Sequence, residues 1–326
     1  MSVRLIDTRT GALLWSESYR RTLQADQILE IGDEIAEKIA ATIAGNAGVL
    51  ARAALKTSLA KEPNSLSAID CVLRFYQHQM SGTPESHRLA RDCLEATVRS
   101  EPGYAEAWAS LSQIYAQEYR VGLNPRADGV AAVIRAREAA ERALELAPGD
   151  ANTMMVRAAT MFDVGDFSGF RQLAEAAIKT RPGDPDLLAH YGLRIAASGD
   201  WRAGAALARR AIDMNSLHHP SWYSIPVILE RYLAGDDQGA LAATKGMTRV
   251  LFMSEDFFAA MILGQSGQLD LARFAGDRVN RESPHVAEQF WPVFRAWKIS
   301  EDTLDRFADG LRKAGIHIDP AAAPPR

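Results

Sequence analysis

The chain has 326 residues, 47% of them hydrophobic and 24% charged, with a formal net charge of −4 at pH 7. That balance is ordinary for a globular protein and argues against a nucleic-acid binder, which carries a basic stripe. No apolar run is long enough to span a membrane, and the first residues lack the charged-then-apolar order of a secretory signal, so a cytoplasmic location is expected. The two cysteines, Cys71 and Cys93, have no metal-type spacing and are expected to be reduced, small packing residues.

The first residues alternate between apolar and polar. Val3 and Leu5 flank Arg4, turn chemistry follows at Asp7-Thr8-Arg9-Thr10-Gly11, and Leu13, Trp15 and Tyr19 then alternate with Leu14, Ser16 and Ser18. This period of two around a Gly-containing turn predicts a β-hairpin. Ile28, Ile31, Ile35, Ile39 and Ile43 then recur at helical steps behind an N-cap at Asp26, until Gly45-Asn46-Ala47-Gly48 interrupts. Residues 1–48 are thus a small α/β piece, and 49–64 a helical linker ending near Pro63-Asn64.

From 65 onward every segment has helical periodicity. Runs at 65–80 and 85–100 form a first pair around Ser81-Gly82-Thr83-Pro84, and 104–119 and 130–146 form a second. The second pair is split by Val121-Gly122-Leu123-Asn124-Pro125-Arg126, an insertion rich in breakers that could carry contacts or be a passive bulge. Pro148 and Pro182 stand 34 positions apart, each followed by Gly-Asp, and two more steps of that length run through Ser216 and Val250 to Pro284. Such a beat marks a helix–turn–helix array in which each unit buries its apolar face only against neighbours. The array is placed at 65–285, two capping helices at 286–316, and an Ala/Pro-rich disordered tail at 317–326. The expected fold class is all-α: an α-solenoid of helix pairs preceded by a hairpin and a helix.

Particular residues carry a family resemblance. Trp108, Leu111, Ser112 and Tyr115 follow the W-x2-L-G-x2-Y order, and Gly165-Asp166-Phe167, Gly199-Asp200-Trp201 and Gly267-Gln268-Leu269 stand at the turns within later units. Phe170, Ala174 and Ala177, then Tyr191, Gly192, Gly204, Ala208 and Ala211, then Ala272, Gly276 and Val279 supply the packing positions. In these residues the chain resembles the tetratricopeptide repeat; the fifth unit is looser, with Gly235 set 36 residues beyond Gly199. The stretch from Leu5 to Trp15, with Tyr19 and Asp33-Glu34-Ile35-Ala36, is similar to the end of a TolB-like amino-terminal domain. That domain precedes such arrays in bacterial class III adenylate cyclases and winged-helix regulators. On this resemblance the chain starts inside the domain and lacks any cyclase or winged-helix portion. Because a lone hairpin is marginal in water, residues 1–45 are expected to pack on the first repeat or to pair with another chain.

Catalytic chemistry is not legible. Neither G-x-G-x-x-G nor a Walker loop occurs, no H-E-x-x-H or paired Cys cluster offers zinc a site, and no G-x-S-x-G marks a nucleophile. The expectation is no enzyme, no cofactor and no metal; His218-His219-Pro220 reads as a solvated loop, and the charged runs at 135–145 and 202–210 as solvated helix faces. A concave face remains, placed at Met155, Ala159 and Phe162, at Ala189, Leu193 and Ala196, and at Tyr223 and Val227, with Glu230 and Arg231 on the rim. Without Lys, Arg or Asn at these positions, the groove is expected to be apolar in its middle and to bind a protein or amphipathic peptide. The alternative is that the last helices, with Phe290, Trp291, Phe294 and Trp297, fill it. The function these residues favour is that of a non-catalytic protein-interaction or regulatory module. Other readings are an accessory part of an adenylate cyclase system acting in trans, and a structural remnant of a larger gene; self-association through the hairpin is a further expectation.

Overall fold

A computed structural model of the chain describes residues 2–8, 10–19, 28–44, 48–61, 66–126, 131–214 and 219–319. The expected N-cap at Asp26, the interruption at 45–47, Pro63-Asn64, Ser216, His218 and the tail from Pro320 lie outside these. Strands β1 (Ser2–Ile6) and β2 (Leu13–Ser18) pair antiparallel, Ser2 opposite Ser18, with a bulge between Leu5 and Ile6. Helices α1 (Ile28–Ala44) and α2 (Val49–Leu59) follow. Six antiparallel pairs come next: α3 (Ala68–Ser81) with α4 (Pro84–Ser100), α5 (Ala105–Val121) with α6 (Ala132–Leu146), and α7 (Ala151–Asp163) with α8 (Phe167–Thr180). The later three are α9 (Pro185–Ala197) with α10 (Trp201–Met214), α11 (Ile225–Leu233) with α12 (Asp237–Thr244), and α13 (Glu255–Gln265) with α14 (Leu269–Glu282). Helices α15 (Val286–Ala296) and α16 (Glu301–Lys313) close the chain.

The periodic punctuation has a local cause. After Pro148 and Pro182, the Asp of each Pro-Gly-Asp caps the next helix: Asp150 accepts from the backbone N–H of Asn152 and Thr153, and Asp184 from those of Asp186 and Leu187. Within units the Gly-Asp turns divide two tasks. Gly165, Gly199 and Gly235 take φ of +88°, +107° and +80°, a region closed to most side chains, while Asp166, Asp200 and Asp236 accept from the N–H three residues on. Proline stops a helix, glycine turns the chain, and aspartate starts the next helix.

Small residues then let helices meet backbone to backbone. A Cβ on Gly204 would lie 2.4 Å from the Gly192 carbonyl, and one on Gly264 would lie 2.0 Å from that of Gly310, so α9 touches α10, and α13 touches α16, without intervening side chains. Most buried residues of α3 to α6 form one core and most of α7 to α16 another, with smaller clusters bridging α5 and α6 to α7 and joining α10 to α1, α9 and α11.

Both ends of the chain depart from the expected course. Helix α1 does not dock on the first repeat. Its Ala41 packs with Leu188, Ala189, Ala211 and Met214, so it lies across the fourth unit. At the other end, α16 packs on α13 and α14, whereas α15 reaches across to α5. The packed structure also runs past 316. Ile318 is 2% exposed, and the carbonyls of Ile318 and Asp319 accept from Arg312 and, for Asp319, also from Trp291.

The cysteines are not free thiols. Cys71 on α3 and Cys93 on α4 are joined by a disulfide, with Cα atoms 5.3 Å apart. Each stands 11 residues from Gly82 at the helix–helix turn, close to three whole helical turns, so the antiparallel pair brings them to the same level and the same face.

Candidate functional site

The first helices of successive pairs line the inner face of the array. On this face lies a cavity of about 150 Å³, walled by α5, α7, α9 and α11 and by the turn at 250–253, with Phe294 and Trp297 at the end of α15. Of the eight residues expected on the concave face, Met155, Ala159 and Leu193 line this cavity. The wall is completed by residues one step further along, Val156, Thr160, His190, Arg194 and Ala197. One step turns a helix by about 100°, so the exposed stripe falls between the two registers. Phe162, Ala189 and Ala196 instead turn between helices, and Phe162 meets Phe167 and Phe170 edge-on. Tyr223 is buried, its hydroxyl donating to Asp186, and Val227 packs with Ala205 and Ala208. At the rim, Glu230 accepts from Arg209 at 3.2 Å, and Arg231 lies 3.7 Å from Asp236.

The cavity is not purely apolar. Met155, Ala159, Leu193, Ile225, Leu229 and Met253 form its greasy walls, but Arg120, Arg194, His78, His190, Gln113 and Gln117 also face it. Arg120 grips Asp163 in a fork, Nε at 2.9 Å and Nη2 at 3.0 Å, so those two charges cancel. Arg194 is 2% exposed and forms no ion pair among the described residues. Its Nη1 donates to the His190 carbonyl at 3.1 Å, and its Nε–H, shut away from solvent, meets no acceptor among the described residues. Burial, and secondarily the nearby Arg120, push this guanidinium down to about 9, against the pull of Asp163. It still carries its proton at neutral pH. Burial, followed by Arg194 and Arg120, holds His190 well below the usual histidine range, and burial holds His78 at about 4. The local sum is one uncompensated positive charge. Trp297 sits between the two guanidiniums, 4.9 Å from Arg120 and 5.6 Å from Arg194.

A second cavity of about 130 Å³ shares Gln79, Gln113, His190 and Trp222 with the first, so the two lie side by side on the inner face. Its character is opposite. Glu106, Asp150, Asp184 and Asp186 face it against a single Arg181, and Tyr76 donates its hydroxyl to Glu106 at 2.5 Å. His219 stacks beside Tyr223, 5.9 Å between ring centroids. No cluster of three or more His, Cys, Asp or Glu among the described residues is arranged to hold a metal, and no helix among them is long and apolar enough to cross a membrane.

The insertion after α5 is tied down at its start. Asn124, at φ +45°, donates from Nδ2 to the Pro84 carbonyl at 2.8 Å, while its own carbonyl accepts from Arg91 at 3.0 Å. Arg126 pairs with Glu95, and the buried Glu118 collects Arg91 and Arg135 at 3.0 Å each. Residues 127–130 lie outside the described residues.

No protein-family model and no curated protein sequence matches the chain. Solved structures do. The human IFIT1 dimer with PPP-AAAA superimposes at a TM-score of 0.51 and 11% identity, over 78% of this chain and 63% of that one. A tetratricopeptide repeat protein from Parabacteroides merdae gives 0.43 at 15% identity, covering 76% of this chain and 92% of that one. PilF of Pseudomonas aeruginosa gives 0.44 at 13%, covering 67% and 92%. The chain spans less than two thirds of the IFIT1 protein, and at this identity the likeness concerns the fold alone. By that fold the chain is an all-α solenoid of tetratricopeptide-like helix pairs, with a small hairpin at its amino-terminal end.

Proposed function

We propose that the chain is a non-catalytic interaction module whose inner groove receives an amphipathic segment of a protein partner. The carrying observation is the adjacency of the two cavities, one apolar with a net positive charge and the other acidic. A segment with an apolar face toward Met155, Ala159 and Leu193 and basic residues toward Glu106, Asp150 and Asp186 complements both halves. The remaining expected positions, Phe162, Ala189, Ala196, Tyr223 and Val227, support the groove from behind rather than touch the partner. Exposed Ile6 and Leu13 on the two-stranded hairpin support pairing with a second copy as part of the same reading. An accessory role in an adenylate cyclase system rests on the TolB-like resemblance alone, and the groove adds nothing to it. The Cys71–Cys93 bond favours an oxidising compartment over the cytoplasm.

Photo-crosslinking tests the reading. A benzophenone side chain at Leu193 or Gln113 should trap a defined partner in native lysate, and one at Phe274, 67% exposed on α14, should not. Partners trapped only from Phe274 would place binding elsewhere and end the proposal.

A further inference from the structure

We propose that the enclosed part of the groove is a binding site for a small organic monoanion, a carboxylate on an apolar body of about one aromatic ring, held at Arg194. Three observations converge. The first is Arg194 itself, 2% exposed, without an ion pair among the described residues and with an Nε–H that meets no acceptor. A buried guanidinium without a counter-charge is costly, and an incoming anion in the cavity that Arg194 lines restores charge balance.

The second is the charge of the groups that line the cavity with Arg194. Asp163 is already spent on Arg120 through both of its oxygens. His190 on the same helix and His78 from α3 are held neutral, and Thr160, Gln113 and Gln117 are uncharged. One negative charge balances the site; two would exceed it.

The third is shape. Ile225 and Leu229 from α11, Met253 from the following turn and Phe294 from α15 close the space around Met155 and Leu193. Its volume of about 150 Å³ matches that of an apolar protein cavity known to admit benzene. An inorganic anion would leave those walls facing water, so the apolar body is part of the inference. This inference does not rest on the protein-partner reading, since the small ligand is tested on the purified chain alone.

The experiment is a titration of the full chain with benzoate, followed by the fluorescence of Trp297, Trp222 and Trp201, which line the site, and by calorimetry. Benzoate should bind saturably, and the neutral isostere benzamide about tenfold or more weaker, the ratio expected when one charge-assisted hydrogen bond is lost. Arg194→Met should fold, melt no lower than the parent, and lose benzoate by a similar factor, because it removes an unpaired buried charge. Leu193→Trp keeps the guanidinium but fills the space, and should abolish benzoate binding. If Arg194→Met does not fold, the benzamide ratio and Leu193→Trp still decide. Absence of saturable binding by benzoate and hexanoate, equal affinity for benzamide, phosphate bound as tightly as benzoate, or Leu193→Trp binding unchanged would each overturn the proposal.

Discussion

The histidines show how single residues tie this array to pH. His87 donates from Nε2 to the Ile114 carbonyl at 3.2 Å and accepts on Nδ1 from Asn124 at 3.0 Å, an arrangement that needs the neutral ring. His78 lies edge-on to it, between Ser86 at 2.8 Å and Gln117 at 2.6 Å. Burial is the largest cause in both, and each ring is pushed down to about 4 from an ordinary 6.5. The unfolded chain therefore binds these protons first as pH falls. Stability should be intact above about 6.5 and decline between 6.5 and 4, by about 1.4 kcal/mol per pH unit for each ring and at most about 3 kcal/mol each. Asp70 acts in a lower range. Burial alone would raise its carboxyl, but Lys61 at 2.7 Å and Ser67 hold it far below the usual carboxylate range, so its contribution is lost only at stronger acid. Urea unfolding followed from pH 7 to 4.5 should show the decline, and His78→Gln should remove about a third of its slope, since His87 and the buried His190 are depressed in the same way. A flat profile would mean that the rings titrate normally.

At the scale of elements, the helix pairs were legible because each boundary is written in local chemistry. Pro-Gly-Asp and Gly-Asp need no knowledge of distant residues, and the sequence boundaries fall within a few residues of those of α3 to α6. The wall of the groove was not legible in the same way. Its stripe depends on a helical rotation of about 100°, and a reading one residue off exchanges His190 for Ala189 and Arg194 for Leu193. Arg120 and Asp163 are 43 residues apart, and nothing in either segment announces the other. The disulfide did leave a signal, the equal spacing of Cys71 and Cys93 about Gly82, which a search for metal motifs passes over. This bond closes a separation of 22 residues and should stabilise the first unit by about 3 kcal/mol. Because repeats couple mainly to their neighbours, its loss should be felt locally. In Cys93→Ala, amide exchange should quicken in α3 and α4 and stay near the parent rate in α13 and α14. Uniform acceleration along the chain would contradict that expectation.

Taken as a whole, the molecule departs from a one-dimensional array in a way that bears on its groove. Stacked repeats ordinarily touch only adjacent units, so stability is a sum of neighbour terms and unfolding can spread from either end. Here two helices cross that order: α1 lies on the fourth unit, and α15 returns to α5 in the second. The second crossing is fastened by Trp297 between Arg120 and Arg194, and by Phe294, 3% exposed, against Phe257 and Phe307. The same contacts that wall one end of the groove therefore tie the last unit to the second. Removing them should divide the protein. Trp297→Ala should turn a single cooperative melting transition into two, with the α11 to α16 portion melting first, and calorimetry would read this directly. The groove should widen at once, so a dye that reports exposed apolar surface should bind the variant before any unfolding begins. If Trp297→Ala lowers the midpoint but leaves one sharp transition and no added dye binding, α15 is only a cap on the sixth unit, and closure of the groove is not what couples the two ends.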